Sequence, residues 1–330
     1  MRVLVTGGAG YIGSVTVEVL VSAGHAPVVL DDCSTGHAGA VPDGVMFVRQ
    51  DYTDEATTAA VLRGHGIDAI LHCAARSLVG ESVRDPSRYY RQNVAGGVAL
   101  LEAARTAGVR RVVFSSTAAV YGVPDATPIP EDAPLRPINP YGETKRTFEG
   151  ALDWYGRAYG MRSVSLRYFN AAGASVLNGE EHAPETHLIP SILAAVEKDA
   201  ALTLFGDDYP TPDGTPIRDY IHVLDLADAH VRALEATGPD DASPFVACNL
   251  GSGSGFSVHE VVAAAEAVVG RPIRTRIGPR REGDPPVLIA RPDLARETLG
   301  WEPRHGTLAE MIGSAWAWRR AHPAGYGDRG

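Results

Sequence analysis

The chain opens on a short β-rich apolar run, residues 3–6, that turns straight into Gly7-Gly8-Ala9-Gly10-Tyr11-Ile12-Gly13 and then into a helical pattern. No other stretch restricts the fold as much. A strand that passes through glycines into a helix packs well when the chain returns as a second, parallel strand beside the first. The sequence repeats this move. Residues 28–31, 46–50, 69–73, 112–115 and 163–167 read as further strands, and residues 11–23, 55–63, 86–107 and 141–159 as helices between most of them. Such alternation predicts an α/β fold, a doubly wound parallel sheet covered by helices on both faces. The pattern loosens after about Asn170, where Pro- and Gly-rich turns separate helix-like pieces at 188–198, 224–236, 258–269 and 308–320. The division expected is a nucleotide-binding domain over 1–170, with some later segments returning to it, and a smaller mixed α/β lobe over 171–330. With 330 residues there is enough chain to bury both cores without a disulfide or metal.

The glycines at 7, 10 and 13 form a GxxGxxG. Gly7 permits the tight turn, Gly10 lets the backbone approach a pyrophosphate, and Gly13 lets helix and strand pack closely. The helix N-terminus then offers free N–H groups to the phosphates. A glycine pattern alone is weak, but this one follows a strand and opens a helix. The second strand ends in Asp31, where a carboxylate accepts hydrogen bonds from a ribose diol and repels a 2′-phosphate. NAD is therefore expected rather than NADP, and Asp32 reinforces this. Asp51 and Tyr52, after the third strand, are candidates for the adenine edge. Cys73, Ala74 and Ala75, after the fourth, offer small side chains along the dinucleotide, and Asn93 is a polar support within a helix. For each of these the competing role is plain packing.

Tyr141-Gly142-Glu143-Thr144-Lys145 begins a helix after a proline-rich loop, and a spacing of four puts Tyr141 and Lys145 on one helical face. A phenol with a pKa near ~10 is a poor base at neutral pH. A neighbouring ammonium and the positive nicotinamide ring favour the phenolate. Lys145 is also suited to hold the nicotinamide ribose. Alone, such a pair reads as a surface pair on an amphipathic helix. Here the fifth strand ends in Ser115-Ser116-Thr117, and strand ends at the carboxyl edge of such a sheet are where ligands bind. Thr117 is expected to share a hydrogen bond with Tyr141 and a substrate oxygen.

At this point the residues resemble the extended short-chain dehydrogenase/reductase superfamily, and within it the UDP-glucose 4-epimerases. The resemblance covers nearly the whole chain. It is most specific at 6–13, 79–83, 114–122, 139–145, at Arg167-Tyr168-Phe169-Asn170-Ala171-Ala172-Gly173, and from Phe205 through Thr211 to Arg218-Asp219-Tyr220-Ile221-His222-Val223. It implies a Rossmann-type sheet, bound NAD, a UDP-sugar lobe, and reversible C4 epimerisation of a UDP-hexose (UDP-galactose/UDP-glucose) through a transient 4-keto sugar. Tyr141 would take the 4-hydroxyl proton, with Lys145 and Thr117 beside it, and the keto sugar would turn about its diphosphate before hydride returns to the other face. By position, the cofactor set is Gly7, Gly10, Tyr11, Ile12, Gly13, Asp31, Asp32, Ser34, Asp51, Tyr52, Cys73, Ala74, Ala75, Asn93, Ser115, Tyr141, Lys145 and Tyr168. The UDP-sugar set is Thr117, Tyr141, Asn170, His187, Leu188, Thr203, Phe205, Arg218, Arg281 and Asp284. Arg218 and Arg281 would hold the diphosphate, where a guanidinium fork suits phosphate oxygens, and Asp284 the ribose hydroxyls. A homodimer through helices 86–107 and 141–159 is also implied.

Several residues depart from the family pattern. Thr117 stands where many members carry Ser, Ser77 where some have Lys, and His187 where some have Asn. Leu288 falls where some bacterial members close the sugar pocket with Tyr, so an N-acetylated sugar (UDP-GlcNAc/UDP-GalNAc) is an alternative substrate. UDP-glucuronate and UDP-pentoses are others, with Arg76 the one nearby cation for a carboxylate. A sugar-nucleotide dehydratase would need acid–base groups where Ala118 and Ala119 stand, a decarboxylase would need cations for a uronate carboxylate, and a non-catalytic NAD-binding protein would not need both Tyr141 and Lys145. The formal net charge of -10 argues against a non-specific grip on nucleic acid or an anionic membrane. Three widely spaced cysteines (33, 73 and 248), no signal-peptide pattern and no long apolar run fit a cytoplasmic protein. His182 and His187 share an acidic stretch with Glu180, Glu181 and Glu185, which reads as a solvated loop, with no metal expected.

Overall fold

A computed structural model of the chain describes residues 1–238, 243–281 and 284–327. The first half builds six strands, β1 (Arg2–Thr6), β2 (Ala26–Asp31), β3 (Met46–Arg49), β4 (Ala69–His72), β5 (Arg111–Thr117) and β6 (Arg162–Tyr168). Its helices are α1 (Tyr11–Ser22), α2 (Glu55–Gly64), α3 (Val79–Arg84), α4 (Pro86–Tyr89), α5 (Gly96–Ala107) and α6 (Pro140–Tyr159). The second half adds β7 (Asn170–Ala172), α7 (Leu188–Glu197), β8 (Leu202–Phe205), β9 (Ile217–Arg218), β10 (Tyr220–His222), α8 (Val223–Ala236) and β11 (Phe245–Leu250). It ends with β12 (Phe256–Ser257), α9 (Val258–Val269), β13 (Thr275–Gly278), β14 (Val287–Leu288), α10 (Asp293–Leu299) and α11 (Leu308–Ala321).

Seven strands form one parallel sheet in the order β3-β2-β1-β4-β5-β6-β11. Alternate side chains feed opposite faces, as the pleat requires. Val3, Val5, Val29, Leu71 and Val113 pack with Val17 and Leu20 of α1 and Leu226 and Ala229 of α8. Leu4, Leu30, Ile70, Val112 and Phe114 pack with Leu62 of α2, Leu100 and Leu101 of α5, and Phe148 and Leu152 of α6. Because helices cover both faces, the central strands β1, β2 and β4 are apolar through their middles rather than alternating with polar residues. A third core of Ile192, Leu193, Leu204, Val261 and Met311 belongs to the smaller lobe, where α7, α9 and α11 cover short strands.

The helix expected over 86–107 is α4 and α5 joined by a π-helical turn at Tyr90–Ala95, which contains Asn93. The strand β11 and helix α8 come from the second half of the chain, and β11 completes the edge of the large sheet beside β6. Among the described residues, no helix is long and apolar enough to cross a membrane.

Candidate active site

The strand order reverses between β1 and β4, which leaves a crevice at their carboxyl ends. A cavity of about 1010 Å³ opens there, lined by the glycine turn, the end of β5, the start of α6 and the smaller lobe. The glycines shape one end of it. Gly7 has φ +72°, and a Cβ on it would lie 2.5 Å from the backbone nitrogen of Ala74. A Cβ on Gly13 would lie 2.1 Å from the Gly7 carbonyl, so a side chain at either position forces α1 away from the sheet. At Gly10 the nearest atom to an added Cβ is 3.4 Å away, and the residue faces the cavity. Gly10 also caps α1 without a side chain, which leaves the first N–H groups of the helix to a ligand. At the end of β2, the Asp31 carboxylate accepts from the N–H groups of Ala9 (3.0 Å) and Cys33 (2.8 Å), which fixes it on the cavity wall. Burial pushes its pKa up, and those two donors oppose the shift. This end of the cavity fits a dinucleotide: glycines where its phosphates would pass, and a carboxylate where a ribose would end.

The opposite wall depends on how α6 begins. The Asn139 side chain accepts from Gly142 N–H (2.9 Å), and Pro140 supplies the preset φ of a first helical residue. A Cβ on Gly142 would lie 2.5 Å from the Ala119 carbonyl, so the first turn of α6 sits directly on the turn that follows β5. That approach brings the phenol of Tyr141 beside the Thr117 hydroxyl, which also accepts from Ala119 N–H (3.2 Å). The buried stripe of α6 carries Tyr141, Lys145, Phe148, Glu149 and Leu152. Two charges on that stripe need partners. Lys145 Nζ donates to the Ser115 carbonyl (2.8 Å) and sits 4.6 Å over the Phe114 ring and 5.9 Å from the centre of the Tyr141 ring. Glu149 accepts from Ser116 Oγ (2.6 Å) and from both nitrogens of the Arg167 fork (2.6–3.2 Å).

Burial acts on the two catalytic candidates in opposite directions. It lowers the Lys145 ammonium to about 8 and raises the Tyr141 phenol to about 12, the latter opposed by the Thr117 hydrogen bond. The lowered phenol pKa expected from Lys145 is therefore not a property of the protein alone. The ammonium is tied to the Ser115 carbonyl, and loss of water around the phenol outweighs it.

In the smaller lobe, the guanidinium of buried Arg218 pairs with the Asp284 carboxylate, and Arg281 stacks 4.4 Å over the Phe205 ring. These four line the cavity with Asn170, His187, Leu188 and Thr203, whose hydroxyl accepts from Arg276 (2.9 Å). Tyr11, Ile12, Asp32, Ser34, Asp51, Tyr52, Cys73, Ala74, Ala75, Thr117 and Tyr168 are on the wall as well.

Asn93 and Ser115 are not on the wall and support it from behind. Asn93 clamps both backbone groups of Arg76 (2.9 and 3.0 Å) and donates to Thr144. Ser115 Oγ lies 2.7 Å from His230 Nε2. Sequence reasoning missed Gly36, Leu78, Arg84, Ser191 and Tyr220, all on the wall, and Glu149 behind it. For Glu149 a signal existed: a carboxylate four residues after Lys145 on an apolar helical stripe. The stretch carrying Glu180 is a correction. It is not a solvated loop, because Glu180 is only 8% exposed and is paired with His182 and His187. Pairing with two imidazoles is what allows that carboxylate to be buried.

A parallel sheet of this order, a glycine turn at its first crossover, and a buried Tyr–Lys pair at its carboxyl edge define a dinucleotide-dependent enzyme. The profile of the NAD dependent epimerase/dehydratase family matches residues 3–248, and the chain belongs to that family. Over 332 residues it is 48% identical to the UDP-glucose 4-epimerase of Lactobacillus helveticus, covering 100% of both chains. It is 49% identical to the UDP-glucose 4-epimerase of Streptomyces lividans, covering 100% of this chain and 99% of that one. The crystal structure of the UDP-glucose 4-epimerase from Brucella ovis in complex with NAD superposes with a TM-score of 0.92 at 47% identity, covering 96% of this chain and 97% of that chain.

Proposed function

We infer that the chain interconverts UDP-galactose and UDP-glucose by inverting the sugar C4, with NAD as its cofactor. One observation supports this reading above the others: Tyr141 and Thr117 stand side by side on the wall of a cavity whose walls also carry the glycine turn, Arg218 and Arg281. The glycine turn and the start of α1 hold the cofactor phosphates, Asp31 takes a ribose, and Lys145 steadies the nicotinamide end. Bound NAD supplies an acceptor, and afterwards a donor, of hydride. Tyr141 removes the proton of the 4-hydroxyl and returns it once the 4-keto sugar has turned over. Thr117 keeps the sugar oxygen and the phenol aligned through the transfer. Arg218 and Arg281 grip the diphosphate, which leaves the sugar free to present either face.

Leu288 on the cavity wall favours a second substrate, because it leaves more room than a Tyr for an N-acetyl group at C2. Arg76, also on the wall, is the residue a uronate would use. We propose a cytoplasmic homodimer. Exposed Val98 of α5 and Trp154 and Tyr159 of α6 supply apolar surface for pairing, and among the described residues no two cysteines form a disulfide. The test is incubation of the purified protein with UDP-galactose, UDP-GalNAc, UDP-glucuronate and UDP-xylose without added cofactor, followed by separation of products. Formation of UDP-glucose from UDP-galactose is expected. Turnover of the acetylated sugar would establish the second substrate, and no C4 inversion of any substrate would overturn the reading.

A further inference from the structure

The loop before α7 carries the pattern Glu180-x-His182-x-x-Glu185-x-His187. Its four side chains turn inward, and one donor atom from each lies within 4.8 Å of all the others. Both imidazoles direct the same ring nitrogen, Nδ1, at the same oxygen, Glu180 Oε1, at 3.2 Å from His182 and 2.7 Å from His187. Glu185 closes the group at 3.8 Å from His182 Nδ1 and 3.2 Å from His187 Nδ1.

We propose that Glu180, His182, Glu185 and His187 form a binding site for one zinc-type divalent cation at the wall of the UDP-sugar cavity. The donor set is two imidazole nitrogens and two carboxylate oxygens, the borderline mixture that zinc accepts in four-coordinate sites. Metal–ligand bonds of about 2.0–2.1 Å in a tetrahedron imply ligand–ligand edges of roughly 3.3 Å. The four imidazole–carboxylate separations, 2.7 to 3.8 Å, bracket that edge.

A separate observation points to a ligand. His182 Nδ1 is shut off from solvent and makes no hydrogen bond of acceptable geometry, although it lies between two carboxylates. A buried nitrogen that lies near two carboxylates without a hydrogen bond to either suits a shared central ion. Charge also balances, since two carboxylates and two neutral imidazoles offset one divalent cation. Among the described residues, the only cationic partners of buried Glu180 are these two imidazoles. The competing occupants are two protons, which would make both rings imidazolium.

Groups other than the four side chains hold the start of the loop. Tyr326 N–H donates to Glu181 (2.9 Å), and the Tyr326 hydroxyl bonds both backbone groups of Gly179 (2.9 and 3.0 Å). The far end is braced by Glu185 itself, whose Oε1 accepts from the N–H groups of Thr186 (2.7 Å) and His187 (2.8 Å). A cation there fixes His187 through Nδ1 and leaves Nε2 as the ring nitrogen that can serve the cavity, at the first turn of α7.

The test uses the full chain with its NAD and with any affinity tag removed. Zn²⁺ is titrated at pH 7.5 by calorimetry and by competition with a chromophoric chelator, with Mg²⁺ as the control. One Zn²⁺ per chain with submicromolar affinity is expected, and no comparable Mg²⁺ binding. His182→Gln and Glu185→Gln should each weaken Zn²⁺ binding about a hundredfold, since each removes one of about four ligands. Melting curves of both variants without metal show whether they fold. Zn²⁺ should raise the melting temperature of the wild type and not that of the variants. No saturable Zn²⁺ binding by the wild type, or equal affinity in folded variants, would overturn the proposal and establish protons as the occupants. The readout is binding, so it stands apart from the epimerase reading: loss of C4 inversion with Zn²⁺ bound contradicts only the latter.

Discussion

Tyr141 is buried deeply enough to be a poor base by itself, with its phenol raised to about 12. The account therefore requires that the positive charge of bound NAD pull it down. Ultraviolet difference titration of the wild type against Tyr141→Phe should show a phenol that titrates well above its ordinary value without NAD and at least about one pH unit lower with it. Identical titrations would contradict this. Thr117→Ser should keep most of the rate because the hydroxyl remains, and Thr117→Val should lower kcat by about 10- to 100-fold, as loss of a hydrogen bond to a reacting oxygen predicts. Steady-state kinetics on UDP-galactose checks both. Tyr141, Lys145 and Thr117 were legible in the sequence because spacing and strand-end position place them. The burial of Glu180 was not, since a run of polar residues reads as solvated until its partners are known.

The helix α6 translates local sequence into site geometry. Its cap at Asn139 and the missing side chain at Gly142 set the distance between Tyr141 and Thr117. Gly142→Ala places a Cβ against the Ala119 carbonyl, at 2.5 Å without relaxation. The expected cost is about 1–3 kcal/mol of stability, as for other overpacked contacts, and a kcat loss of more than about tenfold from misaligned hydroxyls. Chemical denaturation and kinetics on the same preparation check this, and an unchanged kcat would show that the close approach does not set the alignment. Long elements were readable because their apolar period is strong. The two- and three-residue strands β7, β9, β10, β12 and β14 were not, since so few residues carry no period. The π-helical turn around Asn93 also left no sequence signal, because its residues continue a helical pattern on both sides.

Among the described residues, His72, His222 and His230 are buried, and burial holds all three imidazoles toward the neutral form. His72, bonded to Thr6 Oγ1 (2.7 Å), is lowered to about 3, and His230 to about 4, in both cases by burial. An unfolded histidine takes up a proton near pH ~6.5. Below that pH the unfolded state binds protons that the folded state refuses, so stability falls as pH drops from about 6.5 toward 4. Each histidine contributes on the order of 1 kcal/mol per pH unit. Urea midpoints measured between pH 7 and 5 should decrease, and flat midpoints would contradict the burial of neutral imidazoles. The parallel sheet was foreseeable from strand–helix alternation, but the edge strand β11 was not, because its partner β6 is far away in sequence. The central claim is that Tyr141 carries the proton of the sugar 4-hydroxyl while the hydrogen on C4 moves as hydride and never exchanges with water. Conversion of UDP-galactose by the purified protein in D₂O, followed by NMR, tests it directly. The account predicts UDP-glucose without deuterium at C4, and a Tyr141→Phe rate lower by about 10²–10⁴-fold. Deuterium at C4, or equal rates in the two proteins, would contradict it.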